Sequence, residues 1–140
     1  MRALRELDND GIYHVMARGN DKQDIFKVSA DYKRYLDYIR KFKASTGVDL
    51  YCFVLMPNHI HLTLRNPKAG AMSKFMHFLQ TSYSVYFNKK YDRVGHVFQG
   101  RFKSKVVKDD VYLVHLTRYL HLNPVSGGLV KKPSDYEWSS

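Results

Sequence analysis

Two histidines separated by one hydrophobic residue, His59 and His61, are the residues of this chain best suited to chemistry. The stretch 59–65 alternates between polar and apolar side chains, which predicts a β-strand with both imidazoles on one face. Side chains two residues apart on a strand lie about 7 Å apart, so the two rings could share one metal ion, since neutral imidazole is a common metal ligand. The same pattern also fits two polar residues on a half-solvated sheet face.

A tyrosine and an asparagine near the C-terminus, Tyr119 and Asn123, form a second candidate pair. Four residues apart in a predicted helix, they lie on one face, one turn apart. The asparagine oxygen could be a third metal ligand, and the tyrosine could attack a phosphodiester polarised by that metal. By spacing alone, a packed aromatic residue and a helix stop before Pro124 are the more common explanations.

The balance of charge indicates the class of partner. The chain has 140 residues, a formal net charge of +10 and 14% aromatic residues. A basic excess on so small a protein favours nucleic acid, and interleaved basic and aromatic residues are typical of proteins that bind single strands. Solvated surface lysines are the alternative explanation.

Length and composition exclude several other classes. With 44% hydrophobic residues, we expect one compact domain over residues 1–140. No apolar run approaches the roughly 18 residues of a membrane span, and the charged stretch Met1 to Asp10 has no apolar signal region. Cys52 is the only cysteine, so a disulfide framework is excluded and a cytoplasmic protein is expected.

The order of predicted elements indicates the fold. It runs strand, helix, strand, strand, helix, strand, helix, and the sequence places them at 11–18, from 29 or 31 to 47, 50–56, 59–65, 71–89, 96–108, and from 109 or 110 to 123. The first six match an α+β, ferredoxin-like βαββαβ sandwich with an antiparallel sheet. We expect two helices on one face of the sheet, the other face open for ligands, and an added C-terminal helix that carries Tyr119.

Two sequence blocks resemble a known family. Met-Pro-Asn-His-Ile-His-Leu at 56–62 resembles the histidine–hydrophobe–histidine (HUH) motif of single-tyrosine transposases, and Arg-Tyr-Leu-His-Leu-Asn-Pro-Val at 118–125 resembles their catalytic tyrosine helix. Blocks at 13–20, 95–104 and 136–140 also agree, in the family's order, and the chain is most similar to the REP-associated tyrosine transposases of the IS200-like family. It departs from them at 126–128, where Ser-Gly-Gly replaces the frequent Arg-Ala-Gly and a backbone-binding cation is expected to be missing.

The resemblance implies metal-dependent cleavage and rejoining of single-stranded DNA, near hairpin repeats, through a 5′-phosphotyrosine intermediate. It assigns the nucleophile to Tyr119, and the ligands of one Mg²⁺ or Mn²⁺ to His59, His61 and Asn123. It also implies association with the nucleoid and is compatible with a homodimer, in which cleavage in cis and in trans are both open. The general base is not identified; water and His121 are the candidates.

Candidate DNA contacts come from the basic stretches. Arg101, Lys103 and Lys105 alternate along a predicted strand and form either a phosphate-binding track or a lysine-protected sheet edge. Arg18, Asn20 and Gln99 complete the candidates, the last for a base edge. The competing interpretations are a non-catalytic, domesticated hairpin-binding protein on the same fold, a replication initiator or relaxase, and a small zinc protein.

Overall fold

The computed structural model describes residues 10–140, so the charged stretch at 1–9 lies outside the described residues. Its strands are β1 (Ile12–Arg18), β2 (Asp49–Met56), β3 (His59–Arg65) and β4 (Lys103–Val106), and its helices are α1 (Ser29–Thr46), α2 (Ala71–Lys90) and α3 (Asp110–Ser126). The strands form one sheet in the order β2-β3-β1-β4, and every pair is antiparallel. This is the predicted ferredoxin-like arrangement with an added C-terminal helix.

Helices α1 and α2 pack on one face of the sheet and enclose the main core. Alternate residues of β1 and β3 point into it because side chains alternate along a strand, and all of them are buried: Tyr13, Val15, Ala17, Ile60, Leu62 and Leu64. Helix α2 contributes Phe75, Leu79 and Tyr83, which are completely buried. The opposite residues of β3, including His59 and His61, therefore face the other side of the sheet, as the alternation predicts.

The second face of the sheet is not open, contrary to the expectation. Helix α3 lies against β2 and buries Leu116 and Leu120 in a second apolar cluster with Cys52, Val54 and Met56. This happens because β2 is apolar on both faces, and an exposed apolar strand face would be costly in water. The ligand-facing side of the sheet is thus reduced to the part that α3 leaves uncovered.

Strand β4 is shorter than the predicted strand 96–108. Gly95 and Gly100 adopt positive φ values of 95° and 65°, which interrupt an extended strand. Residues 95–102 instead form an irregular segment held to the end of β1 by a bridge between Gly19 and Phe98. Lys103 and Lys105 stay in the strand, opposite Met16 and His14 of β1.

Helix α3 continues through Pro124 to Ser126, so the prediction that Asn123-Pro124 closes it was wrong. Pro124 removes one helical N–H and its ring crowds the carbonyl four residues earlier, but bonding continues beyond it: the Gly127 N–H donates to the Asn123 carbonyl at 2.8 Å and the Leu129 N–H to the Pro124 carbonyl at 2.9 Å. The predicted start is confirmed: the Asp109 side chain caps the helix by accepting a hydrogen bond from the Tyr112 N–H at 2.7 Å. The helix therefore carries Tyr119 and Asn123 on regular, uninterrupted turns.

The C-terminal block returns to the free edge of β2. The Leu55 N–H donates to the Trp138 carbonyl at 2.9 Å and the Ser140 N–H to the Phe53 carbonyl at 3.0 Å. The Trp138 ring also stacks on Tyr32 of α1, with ring centroids 4.7 Å apart. These contacts cover an edge that would otherwise present unpaired backbone groups.

Candidate functional site

The β2–β3 hairpin places the two histidines at the end of the sheet where α3 crosses it. His59 is half-buried, whereas His61 is only 4% exposed. Their ring centroids lie 5.1 Å apart and the rings are perpendicular. His61 is therefore the more enclosed ring and His59 lies nearer to solvent; the space beside these two rings and α3 is called the histidine recess below.

Hydrogen bonds fix the orientation of both imidazoles. The Nδ1 of His59 lies 2.7 Å from Asn58 Oδ1, and because a carbonyl oxygen only accepts, this nitrogen carries the proton. The Nδ1 of His61 lies 2.9 Å from Nε2 of His14. In both rings Nδ1 is thus engaged by a partner, which leaves Nε2 to serve the recess, as outer partners do for metal-binding histidines.

Burial keeps these histidines uncharged. Desolvation, with smaller contributions from the nearby His59 and His14, lowers the pKa of His61 to about 3. Desolvation also lowers the pKa of His59. It lowers the pKa of His14 as well, and the positive charge of Lys105 lowers that pKa by a smaller amount. Because a metal needs the unprotonated nitrogen, the site is in the form that can bind one at neutral pH.

Helix α3 brings the second candidate pair to the histidines. The Tyr119 ring is perpendicular to that of His61, with centroids 6.3 Å apart, and its side chain is 58% exposed. Asn123 lies one turn later, with its amide nitrogen 3.4 Å from His61 Nε2. A carboxamide can rotate to present its oxygen instead, so Asn123 is able to offer an oxygen ligand beside the two imidazoles.

Four of the six DNA-contact candidates converge beside this recess. Arg18 pairs with His59 across β1 and β3, and a small cavity of about 50 Å³ is lined by Met16, Ala17, Arg18, Gln99, Arg101 and Lys103. Lys105 lies farther along β4, with its Nζ 5.6 Å from the Tyr112 ring. Asn20 is exposed in a short 3₁₀ turn and does not line this cavity.

Sequence reasoning missed the roles of two residues. Sequence patterns alone did not link His14 or Asn58 to the two histidines, yet these are the partners of His61 and His59. The alternation of β1 puts His14 on the same face as Met16, so it could have been found once β1 and β3 were paired. His121, one candidate base, instead lies 3.1 Å from Ser140 Oγ.

Other kinds of site are less well supported. Within residues 10–140 there is no group of three or more histidine, cysteine, aspartate or glutamate side chains placed to hold a metal ion. A metal at the recess would therefore depend on Asn123 and on oxygen atoms from a substrate or water. No helix in the same residues is long and apolar enough to cross a membrane.

Comparisons with known proteins find related sequences. The family described as "Transposase IS200 like" matches residues 9–123. A Haemophilus influenzae protein with the provisional name REP-associated tyrosine transposase is 28% identical over 127 residues, which cover 77% of this chain and 72% of the relative.

Solved structures share the fold. A REP-associated tyrosine transposase bound to a REP hairpin superposes with a TM-score of 0.81 at 20% identity, over 99% of this chain and 81% of that one. A Deinococcus radiodurans protein provisionally described as a transposase gives a TM-score of 0.58 at 14% identity, over 85% and 95% of the two chains. At these identities the structural likeness concerns the fold.

Proposed function

Because this chain belongs to the IS200-like transposase family, we propose that it cleaves and rejoins single-stranded DNA through a covalent bond to Tyr119. The observation that carries the proposal is the meeting of four side chains from two distant elements. Tyr119 and Asn123 of α3 face His59 and His61 of β3. A protein that only bound DNA would have no need for a phenol beside two uncharged imidazoles.

Tyr119 is suited to be the nucleophile because its side chain is exposed on the rim of the recess. Its Oη attacks the scissile phosphorus and the bond between phosphorus and the 3′ oxygen breaks. The phenol proton passes to solvent water, and the departing 3′ oxygen takes up a proton to leave a free 3′-hydroxyl. The 5′-phosphotyrosine bond replaces one phosphodiester by another, so a 3′-hydroxyl can reverse the step and join strands without ATP.

The residues present fit one divalent ion. His59 and His61 offer unprotonated Nε2 atoms, and Asn123 offers an amide oxygen, a mixed set that Mg²⁺ or Mn²⁺ accepts when phosphate and water complete the shell. When bound, the ion would draw negative charge from the scissile phosphate and align it for attack. His14 and Asn58 hold the two rings so that the free nitrogens face the substrate.

We propose a DNA strand next to a hairpin as the substrate. The chain carries a net charge of +10, and its structural neighbour is bound to a REP hairpin. Arg18, Arg101 and Lys103 lie together beside the histidine recess, where they would hold the phosphates that flank the scissile bond. Gln99 lines the same cavity and could contact a base edge.

The decisive test is an adduct assay. Labelled single-stranded DNA from the flanks of the chain's own gene is incubated with the protein and Mg²⁺, then separated under denaturing conditions. We expect a covalent protein–DNA band for the unaltered protein. The control Tyr112→Phe, which removes another hydroxyl from the same helix, should also give the band. Tyr119→Phe should give none, since phenylalanine has no hydroxyl to attack phosphorus.

The metal is tested in the same assay. Chelation with EDTA should abolish the adduct and added Mn²⁺ should restore it. An adduct that persists in Tyr119→Phe would refute the nucleophile, and one that persists in EDTA would refute the metal. Tight hairpin binding with no adduct from the unaltered protein would instead favour a domesticated DNA-binding protein.

A further inference from the structure

We propose that a trough between α2 and the segment 95–102 binds the single-stranded DNA that flanks the cleavage site. The inference rests on the proposed function, since it concerns where the same substrate continues. Two adjoining cavities of about 200 and 340 Å³ make up this α2 trough, and they share Gln80, Thr81, Phe98 and Gly100. The first cavity extends to Arg101 and Phe102, and the second to Asn88 and Gly95.

The chemistry of the trough suits bases and phosphates. Among the described residues that line it there is no aspartate or glutamate, so a polyanion meets no like charge there. Within residues 10–140 the hydroxyls of Thr81 and Ser84 make no hydrogen bond to protein. The Gln80 oxygen accepts from the Tyr35 hydroxyl at 2.9 Å, which fixes the amide and leaves its NH₂ group for a ligand.

The shape of the trough favours a strand over a small compact ligand. From Ser73 to Asn88 the helix advances roughly 22 Å at about 1.5 Å per residue, and exposed Thr81 and Val85 leave one side open. On the other wall, a side chain added at Gly95 or Gly100 would meet no atom within 4 Å. The backbone is therefore bare at both glycines, and a base or phosphate can approach it closely.

The trough is continuous with the proposed cleavage site. Arg101 lines the trough and also the small cavity that contains Arg18 and Lys103. Between them the Gln99 N–H donates to the Arg18 carbonyl at 2.8 Å, which fixes the segment against β1. A strand that leaves the histidine recess past Arg18 thus meets Arg101 next and then the trough, without crossing an acidic residue among these lining side chains.

A single strand is the occupant that these features fit. The polar groups on the floor would reach base edges, which are accessible when the strand is unpaired, and the partly buried Phe102 ring at one end adds aromatic surface for stacking. A duplex would present phosphates to the floor and leave the amide and hydroxyl groups without base partners. The trough would therefore distinguish a single-stranded flank from a paired one.

The test measures binding and not cleavage. Hairpin DNA with a flank of randomised sequence, lengthened one nucleotide at a time on the 5′ or the 3′ side, is titrated in EDTA by fluorescence anisotropy. For the unaltered protein we expect affinity to rise by about tenfold or more as one of the flanks lengthens. An abasic flank of equal length, or a flank paired to a complement, should lose this gain.

Thr81→Phe fills the trough and Thr81→Glu adds a negative charge to it; both should lose the gain from the flank while the flankless hairpin binds as before. The controls are Ala44→Phe and Ala44→Glu, at an exposed position of α1 that lines none of these cavities. Because Thr81 is exposed, both variant proteins should fold. Circular dichroism checks this.

The outcomes separate this inference from the proposed function. If both Thr81 variants keep the full gain, the trough does not bind the flank, whatever the adduct assay gives. If the gain depends on Thr81 but the unaltered protein forms no adduct, the binding site stands and the cleavage proposal falls. If paired or abasic flanks raise the affinity as much as unpaired ones, the trough proposal is also overturned, since phosphate contacts alone would then explain the binding.

Discussion

At the scale of single residues, the histidine recess depends on side chains outside the stretch His59-Ile60-His61. His14 holds Nδ1 of His61, and Asn58 holds Nδ1 of His59. The His14 and His61 rings are also stacked, with centroids 5.2 Å apart. Hydrogen bonding and stacking together position His61 without adding charge, because all three imidazoles have lowered pKa values.

His14 gives a prediction about metal affinity. His14→Phe keeps an aromatic ring against His61 but removes the hydrogen bond, so Mn²⁺ affinity should fall by about 10- to 100-fold. His14→Gln can still form a hydrogen bond with Nδ1 of His61 and should keep most of the Mn²⁺ affinity. Titration of Mn²⁺ into DNA-free protein, followed by electron paramagnetic resonance, measures the effect. Equal affinity for the two variants would show that the hydrogen bond does not matter.

The buried His61 gives a prediction about acid stability in metal-free protein. Its folded pKa is about 3, below the usual 6.5, so between these values the unfolded chain binds more protons. The free energy of unfolding therefore falls as pH drops through this window, by up to about 1.4 kcal/mol per pH unit for this group. Urea unfolding in EDTA should give a shallower pH dependence for His61→Asn, whereas identical slopes would contradict the assignment.

At the scale of elements, a buried carboxylate joins the start of α1 to the end of α2. Asp31 is fully buried and accepts hydrogen bonds from the hydroxyl of Tyr86 at 2.7 Å, that of Tyr91 at 2.5 Å and Lys90 Nζ at 2.7 Å. The backbone N–H groups of Lys27 and Val28 complete the set. Desolvation raises the pKa of Asp31, but these donors outweigh it and lower the value to about 2.

Removing the negative charge of Asp31 should therefore lower the free energy of unfolding markedly. Asp31→Asn leaves Lys90 without its ion-pair partner and puts an NH₂ group among donors where the carboxylate had an accepting oxygen, so the protein should lose about 3 kcal/mol of unfolding free energy. The control is Asp37→Asn, which breaks an exposed ion pair with Arg40 and should cost less than about 1 kcal/mol. Urea denaturation measures both, and similar losses would refute the role of the Asp31 network.

At the scale of the whole molecule, α3 folds back over the sheet so that one chain supplies both halves of the site. Leu116 and Leu120 anchor it on Cys52 and Val54 of β2. That packing fixes the rotation of the helix, which turns Tyr119 towards His61 on the adjoining stripe. If the proposed function holds, this arrangement predicts cleavage in cis, which the sequence left open beside cleavage in trans.

A mixing experiment tests cleavage in cis. Tyr119→Phe keeps the histidines and His61→Ala keeps the nucleophile, so each variant alone should form no adduct. If each chain uses its own Tyr119 and His61, an equimolar mixture should also form none. Adduct recovered in the mixture, attached to the His61→Ala chain, would show that α3 acts on a partner's histidines in a homodimer.

The sequence alone was enough to predict the order of the elements and the two halves of the candidate site, although not the bounds of β4 or the end of α3. Alternation in 59–65 predicted which face His59 and His61 share, and helical spacing predicted that Tyr119 and Asn123 share a stripe. Both signals involve residues two to four positions apart, where backbone geometry alone decides which way side chains point. The same local logic predicted the adjacent strands at 50–56 and 59–65 and the start of α3.

Only the tertiary structure decided what meets across the molecule. His14 and His61 are 47 residues apart in the chain, and their contact exists because β1 pairs with β3 in one register. The closure of the second sheet face, the Asp31 network and the α2 trough likewise depend on how elements pack. Local periodicity carries no information about such contacts, since they are selected by the burial of apolar surface and the pairing of polar groups over the whole fold.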